Sequence, residues 1–131
     1  IDLSDPANNR RTIYSMVKRR ELHDVLKMHG FPEPTGHSPK REDVDTPLQQ
    51  LYALNSDFIW DCAMNLSGEV DVDVPVDVLV SSLYQRILVR MPSETELILG
   101  LEFLAEEKNR SERLVRYVHT LLISNEFAFL E

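Results

Sequence analysis

The chain has 131 residues, of which 43% are hydrophobic and 27% are charged. These values are typical of one folded domain and argue against wholesale disorder. A single cysteine, Cys62, excludes an internal disulfide framework and a cysteine-rich metal ribbon. No apolar run approaches the roughly 18 residues that a membrane helix needs, so the sequence predicts no membrane span.

The charge is unevenly distributed. The net charge is −8, yet residues 1–41 carry eight Lys/Arg against five Asp/Glu, whereas residues 42–131 carry six against seventeen. An acidic body with a basic arm does not favour nucleic-acid binding. Such cations pair either with acids of the same chain or with a partner. The candidate interaction residues are Arg10, Arg11, Arg19, Arg20 and Arg41.

The first third of the chain has the weakest periodicity. Pro6 suits a first helical turn, and Ile13, Met16 and Val17 follow a helical spacing, so we predict a helix here. The same stretch is rich in β-branched residues and alternatively fits a short strand. A second short helix is predicted to end at a left-handed Gly30. Residues 30–45 then read as a long loop with several prolines.

The clearest helical pattern begins at Thr46. Thr46 is a suitable cap, and Pro47 suits the first helical position. Apolar residues then recur at helical spacing as far as residue 66, which predicts one amphipathic helix ended by Gly68. Asn55 and Cys62 lie on the apolar stripe of this helix, so both are expected to be buried. A buried amide needs partners, so we expect Asn55 to tie a neighbouring backbone or, alternatively, to contact a ligand.

The remaining pattern predicts three more helices. Residues 68–75 read as an exposed acidic loop, and the next helix is expected over residues 76–90, ending before Pro92. Ser93 and Glu96 have the spacing of a capping box that begins another helix. Ser111 is expected to cap the last helix. Arg90 precedes Pro92 and either caps the preceding carbonyls or holds an anion.

The sequence contains few side chains with the spacing of a metal site or a catalytic site. His23 and His29 are six residues apart, so they do not share a helix face as zinc ligands do. Asp71 and Asp73 lack the further acids and the glycine of a calcium loop. Cys62 reads as a small buried apolar residue rather than a nucleophile. We therefore expect no metal, no cofactor and no catalytic residue.

Several motifs together resemble a planctomycete-specific family of unknown function, "PSD one". Its patterns Arg-Arg-Ser-x-Tyr, Thr-Pro-Leu-Gln-Ala-Leu and Leu-Asn are similar to the segments at Arg10, Thr46 and Leu54. Its Arg-x-Pro-x-x-x-Glu-Leu and Asn-Glu-Phe patterns are similar to the segments at Arg90 and Asn125. The resemblance runs from about residue 9 to the end. Gln50 and Val89 depart from it, since they stand where the family has Ala and Gly.

The resemblance implies a context and no reaction. Such domains lie near the C-terminal end of large exported proteins, beside cytochrome c-like and carbohydrate-binding-like modules. It therefore implies a periplasmic or extracytoplasmic location, which the residues themselves do not reveal. The partners that it implies are upstream domains of the same polypeptide, including a cytochrome c-like module.

These observations lead to one fold prediction and two functional hypotheses. We predict an all-α array of about five helices with a long loop, as a single domain over residues 1–131. Residues 1–45 would be its irregular basic part, and residues 46–131 its helical core. The first hypothesis is a non-catalytic structural or interaction domain that docks on upstream modules. The second is part of a hydrolase or redox enzyme whose site lies at the interface with an upstream domain. The polar residues expected to be structural are Thr46, Asn55, Arg90, Ser93, Glu96 and Asn125.

Overall fold

The computed structural model describes residues 3, 5, 8, 10–37, 46–105 and 109–129. Within these residues the regular structure is helical, apart from one isolated bridge between Lys18 and Glu21. The all-α prediction is therefore confirmed. The helices, in chain order, are α1 Asp24–Met28, α2 Pro47–Asn55, α3 Asp57–Gly68, α4 Val76–Ile87, α5 Glu94–Leu104, α6 Arg110–Leu122 and α7 Asn125–Ala128.

The internal contacts divide the chain into two units, Ile1–Tyr52 and Ala53–Glu131. The expectation of a single domain with a boundary after residue 45 stays a prediction. No helix in the described part of the chain combines the length and the apolar character that crossing a membrane requires.

In the first unit, the helix predicted around Ile13 is wrong. Only a 3₁₀ turn forms, over Thr12–Tyr14, and Ser15 is already extended. Thr12 and Ile13 are β-branched and weak helix formers, and Ile13 is 79% exposed. Because no apolar face is buried here, tertiary packing does not support a longer helix. By contrast, α1 forms as predicted, and Gly30 has the left-handed φ of 67°.

The single helix predicted from Pro47 to Gly68 is two helices. The predicted start and end are confirmed, but α2 ends at Asn55 and α3 begins at Asp57. Ser56 between them is extended, with a ψ of 119°, which is the backbone conformation of an N-cap residue. The side-chain cap expected from Thr46 stays a prediction, although its carbonyl accepts a bond from Gln49 N at 3.0 Å.

The side chains that α3 buries differ in part from those predicted. The face of α3 that meets α6 carries the buried Ala63 and Ser67. Asn55 and Cys62 are exposed, so the prediction that they are buried is wrong. The predicted stripe treated α2 and α3 as one helix, although the extended Ser56 separates them.

The core of the second unit lies between α3, α4, α5 and α6. The apolar face predicted for α4 is confirmed. The helix α6 contributes a second buried row, which includes the polar His119. The helix α6 begins one residue before Ser111, after Asn109 in a left-handed conformation with a φ of 86°. The buried apolar side chains are Ala63, Leu79, Val80, Leu83, Tyr84, Ile87, Leu104, Leu114, Val118 and Leu121.

Candidate functional site

The basic arm, which we define as residues 10–20, is exposed over almost its whole length. A 3₁₀ turn, closed by Tyr14 N donating to Arg11 O at 3.0 Å, is its only helical element. Lys18 makes a weak ion pair with Glu21 at 3.5 Å, with both side chains exposed. The apolar residues Ile13, Tyr14, Met16 and Val17 are also exposed. The arm therefore presents cations and apolar side chains together to solvent.

Four of the predicted interaction residues lie in this arm. The guanidinium groups of Arg10, Arg11, Arg19 and Arg20 make no ion pair with any described residue. Exposed, unpaired cations of one sign steer association with oppositely charged partners. Arg41, the fifth predicted interaction residue, lies outside the described residues.

A second charged constellation centres on Arg90, just after α4. Its Nη1 and Nη2 donate to the two carboxylate oxygens of Glu96, each at 2.8 Å. Its Nε and Nη2 donate to the carboxylate of Glu126 in α7, at 2.5 and 2.7 Å. Nη1 also donates to Met91 O at 3.0 Å. A guanidinium has five N–H donors, so these bonds use all of them. Arg90 is therefore committed to protein partners and has no donor left for an external anion.

This constellation is positioned by local structure. The capping box predicted at the start of α5 forms, since Ser93 Oγ accepts from Glu96 N and the Glu96 carboxylate accepts from Ser93 N. Arg90 also lies over the ring of Tyr84, 5.2 Å from its centre. The arrangement therefore ties the end of α4 to the start of α5 and to α7. Asn125, another predicted structural residue, begins α7, and its carbonyl accepts from Phe129 N at 2.9 Å.

These hydrogen bonds shift the pKa values of all three charged side chains. Hydrogen bonds from Arg90, followed by the bond from Ser93 N, lower the pKa of Glu96 to about 2. Hydrogen bonds from Arg90 also lower the pKa of Glu126. In return, the two carboxylates raise the pKa of Arg90. All three groups stay ionised at neutral pH, so none of them is suited to proton transfer there.

Several other reactive side chains of the second unit are not part of the Arg90 constellation. Partial desolvation, and then the Asp61 carboxylate, raise the pKa of the Cys62 thiol, which disfavours the nucleophilic thiolate. His119 is buried, with its ring 5.2 Å from that of Trp60, and its Nε2 has no partner among the described residues. Asp71 accepts a bond from Asp73 N at 2.9 Å, which is a local turn. Within the described residues, no three His, Cys, Asp or Glu side chains are grouped to hold a metal ion.

Most of the chain matches a known protein family. The chain matches the model of a family described as PSD1, protein of unknown function (DUF1553), over residues 2–104. The chain belongs to the PSD1 family. The matched region ends with α5, so it includes the basic arm and Arg90 but not Glu126. The comparisons with curated proteins and with solved structures find no match.

The PSD1 departure at Val89 has a structural consequence. Val89, where the resemblance has Gly, has a φ of 57° and is 78% exposed. A β-branched residue in this left-handed region is strained by about 1–2 kcal/mol. The position links α4 to Arg90, and the left-handed conformation turns the chain so that Arg90 reaches both carboxylates. A glycine at this position, as in the family pattern, would adopt the left-handed conformation without this strain.

Replacing Val89 by glycine is accordingly expected to stabilise the protein. Relief of the left-handed strain exceeds the roughly 0.5–1 kcal/mol by which glycine stabilises the unfolded chain, leaving a net gain of about 0.5–1 kcal/mol. Urea denaturation would measure the change. The matched control is Val78→Gly at an exposed position inside α4, which should lose about 1 kcal/mol. A loss of stability in Val89→Gly as large as in the control would contradict the strain argument.

The Arg90 constellation also predicts an acid dependence of stability. The Glu96 pKa falls from an ordinary value of 4.5 to about 2 on folding. Its contribution is therefore complete above about pH 4.5 and is lost as the pH falls through about 2. Glu96→Gln should cost about 1 kcal/mol at pH 7, and the difference from the wild type should shrink below pH 4.5.

Denaturant unfolding at a series of pH values would test this dependence. Glu94→Gln is the matched control, since Glu94 lies in the same first turn and makes no ion pair with a described residue. It should keep the wild-type pH profile. If the difference between Glu96→Gln and the wild type were the same at pH 7 and at pH 2.5, Glu96 would not be the group that titrates.

Sequence reasoning missed two parts of this site. Glu126 was visible only as the middle of an Asn-Glu-Phe pattern, and its role depends on a contact 36 residues away along the chain. Tyr117 was not singled out either, although it is half-buried and its ring stacks on Phe103. Burial is the largest of the effects that raise the pKa of Tyr117, so this phenol stays protonated. No local sequence signal indicates either contact.

Proposed function

We propose that this PSD1 chain is a non-catalytic interaction domain whose basic arm binds an acidic protein surface. One observation carries the proposal: four exposed guanidinium groups lack ion pairs with described residues, and they flank exposed apolar side chains. Charge steers the encounter, and apolar contact then slows dissociation. A site of this kind needs no reactive group of its own.

The composition of the arm supports a protein partner. Arginine, tyrosine and methionine are enriched in protein interfaces, and an apolar patch with a charged rim is typical of such surfaces. The arm carries this combination in Arg11, Tyr14, Met16 and Arg19. Nucleic acid fits less well, because the net charge of −8 repels phosphate.

The context of the partner rests on the family resemblance. Upstream modules of the same polypeptide, such as a cytochrome c-like module, would supply the acidic surface in an exported multidomain protein. The domain would then act by holding those modules together. This role also fits the Arg90 constellation, whose charges are satisfied inside the domain and leave binding to the arm.

The test is binding of the upstream module, expressed separately, at low and high salt. Arg19→Glu with Arg20→Glu should lower the association rate on the order of tenfold and change the dissociation rate less. Lys27→Glu with Arg116→Glu makes the same charge change at exposed positions outside the arm and should have little effect. Binding that is independent of salt and of the arm would overturn the proposal, and so would tighter binding of the arm to a short DNA duplex.

The enzyme hypothesis stays open to a direct assay. Hydrolysis of sugar or ester substrates by this chain alone would overturn the non-catalytic part of the proposal. The exposed position of Asn55 does not distinguish the two hypotheses, because a residue at an interface with an upstream domain would also be exposed in this chain alone. No other observation favours a particular reaction.

A further inference from the structure

We propose that the exposed face of α5 receives the basic arm of a second copy of this chain, so that two copies exchange arms in a symmetric pair. The inference rests on the proposed function, because it names one acidic surface that the arm binds. It concerns a contact between two molecules. Its evidence is the apolar character of α5, the order of charges along its exposed face, and the matching order in the arm.

The helix α5 is apolar on two sides. Its inner side buries Gly100 and Leu104 against the core of its unit. Its outer side leaves Leu99 59% exposed and Ile98 49% exposed. Exposed apolar side chains that lie together on one side of a helix are typical of a surface that a partner covers. The outer side of α5 therefore lacks a cover within the described residues.

Two carboxylates frame this outer side. Glu94, Ile98 and Glu102 are spaced four residues apart, so they form one row along the exposed surface. The row spans about 12 Å of helix. Neither Glu94 nor Glu102 makes an ion pair with a described residue. Along the helix, this face therefore carries a carboxylate, then apolar side chains, and then a second carboxylate.

The basic arm has the complementary order. Arg10 and Arg11 lie at one end and Lys18, Arg19 and Arg20 at the other, with exposed apolar residues between them. No acidic residue interrupts residues 10–20. When the arm lies along α5 of another copy, its two basic ends meet Glu94 and Glu102, while apolar side chains cover Ile98 and Leu99. Charge complementarity and apolar burial therefore favour the same alignment.

A second copy is the occupant that these features favour. Both complementary surfaces belong to one chain, so two copies form two identical contacts by exchanging arms. Such a reciprocal exchange satisfies all the surfaces in a closed dimer, whereas one-way docking would continue into an open chain. The pairing also brings basic segments to an acidic unit, which offsets the repulsion between two chains of charge −8.

Sedimentation velocity of the whole chain tests this proposal. Over about 1 µM to 1 mM, a range that covers ordinary weak and moderate affinities, the wild type should shift from monomer to dimer at low salt. Glu94→Lys with Glu102→Lys should abolish the dimer, and so should Arg19→Glu with Arg20→Glu. Leu99→Ser should raise the dimer Kd about tenfold by removing apolar contact.

Mixing the two charge-reversed variants gives the sharpest result. Each variant alone is monomeric, but an equimolar mixture should recover part of the dimer. One contact of the mixed pair is the wild-type contact, and the other joins the reversed positions 19 and 20 to one reversed end of α5. Arg10 and Arg11 still face a like charge at the other end, so the mixed dimer should be weaker than the wild-type dimer. The matched control is Asp61→Lys with Asp73→Lys, which makes the same charge change at exposed positions away from α5. This control should dimerise like the wild type.

Two outcomes would overturn the inference. One is a wild type that stays monomeric at all these concentrations. The other is a dimer that neither the α5 variant nor the arm variant weakens. In both cases the proposed function is unaffected, since binding of the arm to the upstream module is measured separately. If the wild-type chain neither dimerised nor bound the upstream module, both proposals would be overturned.

Discussion

Replacing Gly100 by alanine is expected to destabilise the protein by about 2 kcal/mol. A Cβ at this position would lie 2.7 Å from Tyr117 Oη and 2.9 Å from Val80 Cγ2. Val80 is fully buried in the core, so it cannot easily move away. Overpacking of this kind costs up to about 3 kcal/mol, which exceeds the roughly 1 kcal/mol that alanine gains over glycine in a helix.

The same substitution at Gly68 is the control, and it should have the opposite sign. Gly68 ends α3, is exposed, and has no atom within 4 Å of the position that a Cβ would take. Gly68→Ala is therefore expected to stabilise by about 0.4–1 kcal/mol through the unfolded chain. Thermal unfolding of both variants would measure the pair. Stabilisation by both would mean that α5 does not approach α4 and α6 this closely.

Leu83→Ala should have the largest effect of any single change considered. Leu83 is fully buried in α4, at the centre of the core of the second unit. Truncating a buried leucine removes apolar burial and leaves a cavity, which together cost about 2–5 kcal/mol. Since a domain is stable by only about 5–15 kcal/mol, this change threatens folding at elevated temperature.

Leu54→Ala provides the matched control for this truncation. Leu54 is exposed in α2, so its loss should change the free energy of unfolding by no more than about 0.5 kcal/mol. Urea unfolding of the two variants, followed by circular dichroism, measures both changes. Equal losses would contradict the described division between buried and exposed apolar residues.

The Arg90 constellation gives a physical meaning to a family pattern. In the Arg-x-Pro-x-x-x-Glu pattern, Arg90 and Glu96 form a bidentate ion pair, and the preceding helix α4 has already ended before the left-handed Val89. The pattern therefore stabilises a turn between two helices. The Asn-Glu-Phe segment adds the second carboxylate, from α7. Recognising these motifs indicates the PSD1 family without revealing an activity.

The errors made from the sequence share one cause, because each extended a local period beyond the point where packing supports it. The stripe through Asn55 and Cys62 assumed one continuous helix, whereas Ser56 divides it, and both residues are exposed. The helix expected at Ile13 had suitable spacing but no surface to pack against. Periodicity states which residues could share a face, but not whether another element covers that face.

The sequence by itself determined the features that depend on neighbours within one helical turn. These are the start at Pro47, the end at Gly68, the left-handed Gly30 and the capping box of Ser93 and Glu96. Tertiary structure decided which face of α3 meets α6 and that Arg90 reaches Glu126. Those outcomes join residues far apart along the chain, and they depend on the directions in which whole helices lie. A local sequence pattern carries no information about those directions.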